Sequence, residues 1–396
     1  MSEWVLQKAA EFCASVRDGT HDSPKSVDHG GKPLVTSKVV KQGFIRVEDA
    51  YLISEKDYRK INERSKVDRW DILMTMIGTV GECAIVKDDP DYAIKNIALF
   101  KMSGDEEKAK WLYYYLTSPM GQGALRENFR GSSQQYISLD QLRNLEIPVP
   151  EKDVRLQIVA ILSDYDSAID NARRQIALLE EAAMRLYREW FDGTGKGWKR
   201  TPVVLADVLE RLGTGLNPRK NFTLGHGENF YVTIKNMANN RVYLDSKCDK
   251  VDDEAIRKIN RRSDLRKGDV LFSGIGTIGR AYLIAETPKN WNTSESVFNL
   301  RANSRITPEF LYMLMLSSKM QQYAMNNATG CAQKGIRAAA LREYQFDLAP
   351  LIEIEKFTEQ VRPMLNAVND LNKKIDSLTE AKDRLLPKLM SGEIEV

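Results

Sequence analysis

The sequence predicts an α+β chain in which two similar globular domains are joined by two long helices. We expect these helices to pair antiparallel within the chain, as a coiled coil arranged about a pseudo-twofold axis. The chain repeats itself at about half its length, each repeat starts with short apolar runs and glycine turns, and each ends in a heptad pattern. With 396 residues, 42% of them hydrophobic, each half can bury a core of its own.

The repeat is visible as segments that match and keep their order along the chain. The matching pairs, at offsets of 198 or 199 residues, are 59–65 (RKINERS) with 257–263 (RKINRRS), 77–81 (IGTVG) with 275–279 (IGTIG), and 131–137 (GSSQQYI) with 330–336 (GCAQKGI). Because the offset is nearly constant, the sequence predicts a tandem duplication.

The two domains are expected at residues 1–150 and, with a preceding linker, at residues 193–350. Residues 71–74 and 84–86 predict a strand and its returning partner on either side of a glycine turn. Residues 111–116 are apolar on most faces and predict a buried helix. The same pattern recurs in the second copy at residues 269–272, 282–284 and 310–316.

Heptad patterns predict a central helix at residues 151–192 and a C-terminal helix at residues 351–396. Apolar residues recur in alternating steps of four and three, which is the spacing of a coiled-coil seam. The seam positions are Ile158, Leu162, Ile169, Ile176, Leu186 and Trp190 in the first helix, and Phe357, Val361, Val368, Ile375, Leu385 and Leu389 in the second. A coiled coil that joins two chains is the alternative; the duplication and the linker favour pairing within one chain.

Three features interrupt these helices. The glycine-rich segment 193–197 predicts the end of the first helix and a linker. Lys382 breaks the second seam at the position that Ala183 occupies in the first. Pro363 is expected to kink the second helix or to delay its start, because proline removes one backbone hydrogen bond.

Composition excludes several classes of protein. Cys13, Cys83, Cys248 and Cys331 form no CxxC pair, and only three histidines are present, so we expect neither a zinc site nor a disulfide framework. A net charge of +3 is too mild to indicate a partner. No apolar run approaches the roughly 20 residues of a membrane span, and no export signal is visible, so we expect no membrane association and a cytoplasmic location.

A literal GxGxxG motif at residues 274–279 is the one sign of nucleotide binding. The residues after it predict a strand, whereas a dinucleotide site needs a helix there, and the first copy has Met76 in place of Gly274. We therefore expect Gly81 and Gly279 to form turns without a nucleotide. With no Walker A, HExxH or GxSxG motif, no catalytic, cofactor or metal site is expected.

Candidate nucleic-acid contacts occur in corresponding places of both copies. Basic residues at helical spacing could neutralise phosphates, or could be solvated surface charge. Glutamine and lysine in the Gly-x-x-Gln loops suit base edges and phosphates, or could hold the loop itself. The DNA-binding candidates are Lys38, Lys41, Arg59, Lys60, Gln134, Gln135, Lys235, Asn236, Arg257, Lys258, Gln333 and Lys334.

Four motifs together are typical of one family. Two are shared by the copies: the Asp-(Ile/Val)-Leu…Ile-Gly-Thr-(Val/Ile)-Gly stretches and the Gly-x-x-Gln-x-x-Ile loops. The other two are residues 142–150 (LRNLEIPVP) before the first long helix, and residues 384–394 (RLLPKLMSGEI) near the end of the chain. Together they resemble the specificity subunit of type I restriction-modification systems, over essentially the whole chain. The second copy departs at residues 346–350 (FDLAP), and Cys331 and Ala332 replace two serines.

The resemblance implies a non-catalytic, DNA-binding subunit. It implies target-recognition domains at about 1–150 and 200–350 that read a bipartite site in double-stranded DNA. It implies spacer helices whose seam residues hold the domains apart and dock two modification (methyltransferase) subunits, with restriction (motor-nuclease) subunits joining the complex. S-adenosylmethionine and ATP would bind those partners, so this chain is expected to hold no cofactor.

Two other classes of function remain open. One is a coiled-coil scaffold without a DNA role. The other is a stand-alone enzyme whose site shows no recognised motif.

Overall fold

The computed structural model describes residues 4–41, 43–131, 134–192, 197–330 and 333–396. The chain divides into unit 1, Met1–Asn171 with Ile375–Val396, and unit 2, Ala172–Lys374. Each unit contains one domain of mixed helices and strands together with part of both long helices, which confirms the α+β class.

Unit 1 is built from short strands and helices. Its strands are β1 Val5–Lys8, β2 Ser15–Asp18, β3 Lys32–Val35, β4 Val40–Lys41, β5 Phe44–Ile45, β6 Tyr51–Ile53, β7 Ile72–Thr75, β8 Cys83–Ile85, β9 Ala93–Ile94, β10 Ile97–Lys101 and β11 Glu146–Val149. Its helices are α1 Ala9–Phe12, α2 Glu55–Ser65, α3 Glu106–Thr117, α4 Pro119–Glu127, α5 Leu139–Arg143 and the first part of α6 Lys152–Tyr187.

The largest sheet of unit 1 is antiparallel, with the order β2-β10-β7-β8. A second sheet has the order β6-β3-β9, with β3 and β9 parallel, and β1 pairs with β11 and β4 with β5. The predicted strand and its return are β7 and β8, in which Ile72 lies opposite Ile85. The predicted core helix is α3, whose Trp111 is fully buried and donates its indole N–H to the carbonyl of Pro148 at 3.0 Å.

Unit 2 repeats these elements in the same order. Its strands are β12 Thr201–Val204, β13 Leu209–Thr214, β14 Asn229–Val232, β15 Met237–Ala238, β16 Arg241–Val242, β17 Asp249–Val251, β18 Val270–Ser273, β19 Ala281–Leu283, β20 Trp291–Thr293, β21 Val297–Ala302 and β22 Gln345–Leu348. Its helices are α7 Asp253–Arg262, α8 Pro308–Leu316, α9 Ser318–Asn326, α10 Ala338–Arg342 and the first part of α11 Leu351–Met390.

The sheets of unit 2 match those of unit 1 strand for strand. The main sheet is β13-β21-β18-β19, the second is β17-β14-β20 with β14 and β20 parallel, and the two remaining pairs are β12-β22 and β15-β16. The duplication seen in the sequence is therefore a duplication of the whole fold.

An aspartate at the start of the central strand has the same structural role in both units. Asp71 is fully buried, and its carboxylate accepts hydrogen bonds from Lys101 at 2.6 Å and from the backbone N–H of Met102 at 3.0 Å. Asp269 pairs in the same way with Arg301 at 2.7 Å. A buried carboxylate is tolerated only when it is paired and hydrogen-bonded. The aspartate of the repeated motif therefore belongs to the core.

Within unit 1, the two long helices run antiparallel. Ile158, near the start of α6, shares a core cluster with Leu389, near the end of α11. Asp166, further along α6, contacts Lys382, which lies earlier in α11. The seam positions therefore meet as the heptad pattern predicts.

Within unit 2, the other parts of the same helices also run antiparallel. The rings of Tyr187 and Phe357 lie 6.1 Å apart between centroids. The turn between β15 and β16 then contacts Glu180 through Asn240, at 3.0 Å, and Asn372 through the next residue, at 3.5 Å.

The long helices differ from the predictions in three places. The helix α6 is α-helical over Lys152–Tyr187 and ends in a π-helical turn at Arg188–Asp192, within the predicted range 151–192. The helix α11 starts at Leu351 and continues through Pro363, so the predicted delay of its start was wrong. Pro363 and Glu359 are both exposed, so the carbonyl that loses its partner can bind water. The helix ends at Met390, short of residue 396, because Gly392 adopts a positive φ of 70° that terminates it. The predicted linker residues 193–196 lie outside the described residues.

Candidate nucleic-acid interface

In unit 1, two loops form one composite edge. The glycine turn, residues 76–81, joins β7 to β8, and the glutamine loop, residues 130–136, precedes α5. The backbones of Arg130 and Tyr136 exchange two hydrogen bonds of 2.9 Å, which close the glutamine loop. The N–H of Gly78 then donates to the carbonyl of Gln135 at 3.1 Å, which fixes the glutamine loop against the glycine turn.

The same edge recurs in unit 2, between a glycine turn at residues 274–279 and a glutamine loop at residues 329–335. The N–H of Gly276 donates to the carbonyl of Lys334 at 2.8 Å. The turn joins the antiparallel strands β18 and β19, which confirms the predicted strand-to-strand turn at the GxGxxG motif. Gly279 has a φ of 98°, a conformation that glycine adopts without strain.

In each unit a half-buried glutamine of the helix that follows the core helix bonds the glycine turn. Gln122 donates its side-chain N–H to the carbonyl of Gly81 at 3.1 Å, and Gln321 does the same to Gly279 at 2.9 Å. Each of these amides also donates to a carbonyl in the last turn of the preceding helix, that of Leu116 at 2.7 Å in unit 1 and that of Met315 at 2.7 Å in unit 2. The edge is therefore rigidly supported by the helices α3 and α4 and their copies.

The predicted glutamines are presented on this edge. Gln134, Gln135, Gln333 and Lys334 are exposed, and their side chains make no hydrogen bond to any described residue. Only their backbones take part in holding the loop, so the side-chain amides and the ammonium group are available to a ligand. The neighbouring residues 132, 133, 331 and 332 lie outside the described part of the chain.

The candidate lysines lie in different settings in the two units; they follow Thr36 in unit 1 and Thr233 in unit 2. In unit 2, Arg280 donates to the carbonyl of Ile234 at 2.8 Å, which places Lys235, exposed, beside the glycine turn. Unit 1 has Glu82 where unit 2 has Arg280. In unit 1, Lys41 is exposed on β4, next to β7 and β8. Lys38, also exposed, precedes that strand.

Asn236 is in a position that does not suit a DNA contact. The side chain is 6% exposed, and its oxygen accepts hydrogen bonds from the N–H of Thr233 at 2.9 Å and from the hydroxyl of the same residue at 3.1 Å. The amide thus caps a short 3-10 turn. Sequence spacing alone could not separate this buried cap from its exposed neighbour Lys235.

The basic helices lie apart from this edge, since α2 packs on β3 and β9 and α7 packs on β20. Arg59 pairs with Glu55 at 3.1 Å, and Lys258 pairs with Glu254 at 2.7 Å, both one helical turn away. Arg257 donates to the backbone of its own helix. Lys60 makes no ion pair with a described residue and lines a cleft of about 280 Å³. The charge of these helices is thus partly neutralised within the chain, and their contact with phosphates stays a prediction.

The seam residues of the long helices are covered by the chain itself. In unit 1, Ile158, Leu162, Ile169, Ile375 and Leu389 are buried and Leu385 is partly buried. In unit 2, Trp190, Phe357 and Val361 are buried and Leu186, Ile176 and Val368 are partly buried. These side chains form the inner seam of the helix pair. A role in docking other subunits stays a prediction.

Lys382, which interrupts the apolar seam, interacts with two side chains of unit 1, those of Asp166 and Tyr114. Its ammonium group pairs with Asp166 at 2.5 Å and lies 5.2 Å from the ring centroid of Tyr114. The hydroxyl of Tyr114 donates to the same carboxylate at 2.8 Å. The corresponding residues of unit 2, at Ala183, Leu365 and Met313, are buried and apolar. One unit therefore carries a polar set where the other carries a hydrophobic one.

Three residues on the composite edges were missed by the sequence analysis. Arg130 and Arg337 are exposed, and Tyr136 is 41% exposed, each next to a glutamine loop. The signal that could have found them is the difference between the copies, because the matching positions hold Thr329, Ser138 and a glycine.

The described ranges show no sign of a metal site or a membrane span. No cluster of His, Cys, Asp and Glu there could hold a metal ion. None of the described helices has the length and hydropathy of a membrane span. Cys13, Cys83 and Cys248 are buried free thiols.

Comparison with known proteins gives one consistent result. The family model described as "Type I restriction modification DNA specificity domain" matches residues 1–181 and again residues 196–380. The chain is 21% identical over 424 residues to the type I restriction enzyme MjaIX specificity subunit of Methanocaldococcus jannaschii, covering 100% of this chain and 94% of that protein. It is 20% identical over 396 residues to the MjaVIII specificity subunit of the same organism, covering 93% and 90%.

A solved structure shares the fold. The crystal structure of the S subunit of a type I restriction-modification system from M. genitalium aligns with a TM-score of 0.56 at 14% identity, covering 98% of this chain and 96% of that one.

Proposed function

The chain belongs to the type I restriction-modification DNA specificity family, and from that premise we propose that it is the specificity subunit of such a system. Unit 1 and unit 2 each read one half of a bipartite target in double-stranded DNA. The target-recognition domains are residues 1–150 and 193–350, and the spacer helices are residues 151–192 and 351–396. The chain holds no catalytic centre, and it acts in the cytoplasm.

The assembled complex supplies the chemistry. Two modification subunits methylate adenine with S-adenosylmethionine, and restriction subunits cut DNA with ATP. This chain binds the modification subunits and directs the complex to its site.

The observation that carries the proposal is the double family match, because its two halves coincide with two units of the same topology. Each unit presents an exposed edge with free glutamine side chains, as a reader of base edges needs. Among the described residues of the glutamine loops, backbone hydrogen bonds hold the loop, which leaves the glutamine side chains available to DNA.

The test is DNA binding and methylation by the full chain assembled with its modification subunits. We expect tight, salt-dependent binding to DNA and methylation of adenines within one two-part sequence of the host genome. A scaffold would give no sequence preference at any salt concentration. A stand-alone enzyme would transfer methyl groups without the modification subunits.

A further inference from the structure

The two composite edges share one backbone frame but differ in several side chains, and three of the differing positions lie at or just beyond the ends of the glutamine loops. In unit 1 these are Arg130, Tyr136 and Ser138, and in unit 2 they are Thr329, Gly335 and Arg337; we name each set the variable face. The frame is the same because Thr329 and Gly335 exchange the same two backbone hydrogen bonds of 2.9 Å as their counterparts.

The three positions of a variable face lie on one side of the loop. Arg130 and Tyr136 are direct cross-strand partners, and such partners project to the same face. Tyr136 and Ser138 flank Ile137, which is 1% exposed, so they lie opposite the buried side chain. In unit 2, Ile336 is buried and Arg337 is exposed in the same alternation.

Each variable face carries one arginine, but at opposite ends. Arg130 is the first residue of the glutamine loop of unit 1, and Arg337 lies two residues after the glutamine loop of unit 2. Both are exposed, and neither guanidinium group makes a hydrogen bond or an ion pair with a described residue. Beside Arg337, unit 2 has Gly335 where unit 1 has a tyrosine, so a ligand can approach the second edge more closely.

In unit 2, Arg337 occupies the position of Ser138, the residue that caps the start of α5 in unit 1. Ser138 forms a capping box with Gln141 at the start of α5, with its hydroxyl accepting from the backbone N–H at 3.3 Å. Arg337 holds the same N-cap position of α10 and makes no side-chain cap. Serine is among the preferred N-cap residues and arginine is not, so the exchange gives up local stability for an outward-facing guanidinium group.

We propose that Arg130 and Arg337 are specificity-determining residues, each reading the guanine of a G·C base pair in the half-site of its own unit. The guanidinium group can donate two hydrogen bonds to the O6 and N7 atoms of guanine in the major groove. Because the arginines stand at opposite ends of the same frame, they read different positions, which makes the two half-sites differ. This inference rests on the proposed function.

The experiment compares adenine methylation across a host genome for the full chain with its modification subunits. The variants are Arg130→Ala, Arg337→Ala and, as a matched control, Arg126→Ala, which removes an exposed arginine near the end of α4. We expect Arg130→Ala to accept other bases at one G·C position of one half-site, and Arg337→Ala to do so in the other half-site. The discrimination lost in competition binding should be roughly 5- to 150-fold.

A transplant gives a gain of function. The variant Thr329→Arg/Gly335→Tyr/Arg337→Ser puts the variable face of unit 1 on unit 2, and we expect it to move the G·C position within that half-site. If the wild-type chain gives a bipartite motif that neither arginine variant changes, or if one variant alters both half-sites, the inference is wrong and the proposed function stands. If the wild-type chain gives no bipartite motif, the proposed function and this inference both fail.

Discussion

Gln134 and Gln333 occupy the same place in both glutamine loops, although the two units are proposed to read different half-sites. Their side chains are exposed and bond no described residue, whereas Gly131 is needed for the loop itself, because a Cβ there would lie 2.4 Å from the carbonyl oxygen of Gln134. The architecture of the loop therefore depends on its glycine and its backbone, which leaves the glutamine amides for the ligand.

We predict that Gln134→Ala and Gln333→Ala each lower discrimination between specific and nonspecific duplexes. A bidentate amide-to-adenine contact is worth about 1–3 kcal/mol of discrimination. Arg59→Ala and Arg257→Ala should instead weaken binding to all sequences and reduce the salt dependence, because they act on phosphates. The measurement is the affinity for both duplexes at several salt concentrations. A lower Tm of Gln134→Ala with no loss of discrimination would assign the amide to the loop structure.

A second residue-scale prediction concerns the buried thiols. Burial raises the pKa of Cys13 to about 12 and that of Cys248 to about 11, and it also raises the pKa of Cys83. Because only the thiolate reacts, the folded chain at pH 8 should label far more slowly with a disulfide reagent than the unfolded chain. The Cys331→Ser variant isolates these three thiols, and rapid labelling of that folded variant would contradict their burial.

At the scale of elements, the helix pair is polar around Lys382 in unit 1, where the corresponding positions of unit 2 are apolar. We predict that Lys382→Ala destabilises the folded chain by about 1–3 kcal/mol, because it leaves the part-buried Asp166 without its counter-charge. The triple variant Lys382→Ala/Asp166→Leu/Tyr114→Met, which copies unit 2, should recover that loss. The measurement is chemical denaturation, with Lys374→Ala as an exposed control. A triple variant no more stable than Lys382→Ala would show that the site cannot repack.

The strands β7, β8, β18 and β19, the core helices α3 and α8, and both long helices were predictable, because short apolar runs beside glycine turns and heptad periodicities report which side chains face a core. The other strands were not predicted. The features that the sequence did not predict depend on tertiary contacts. Asn236 and Lys235 are adjacent, and only the fold shows that one caps a turn while the other is exposed. The unbroken helix at Pro363 depends on which face of α11 meets solvent. The arginines of the variable faces were not predicted because the repeat draws attention to residues that the copies share, and these arginines differ between the copies.

At the scale of the whole molecule, the two units should act as independent readers. We predict that replacing residues 200–350 with those of a relative changes one half of the methylated sequence and leaves the other half intact, because distant sites contribute additively. The measurement is the adenine methylation motif of the hybrid, with the wild-type chain as reference. A hybrid whose two half-sites both change would contradict modular reading.

The single lysine in the second seam has a consequence for how a duplicated chain selects its partners while it folds. If two copies of α6 met in the antiparallel register seen in unit 1, Asp166 would face Ala183; if two copies of α11 met, Lys382 would face Leu365. Each self-pairing buries a charge without a counter-charge, which is costly. Only the pairing of α6 with α11 joins the aspartate to the lysine. The two charged residues thus disfavour the association of two copies of α6, or of two copies of α11, from neighbouring chains. Such mispairing is a known failure of chains that contain similar repeats.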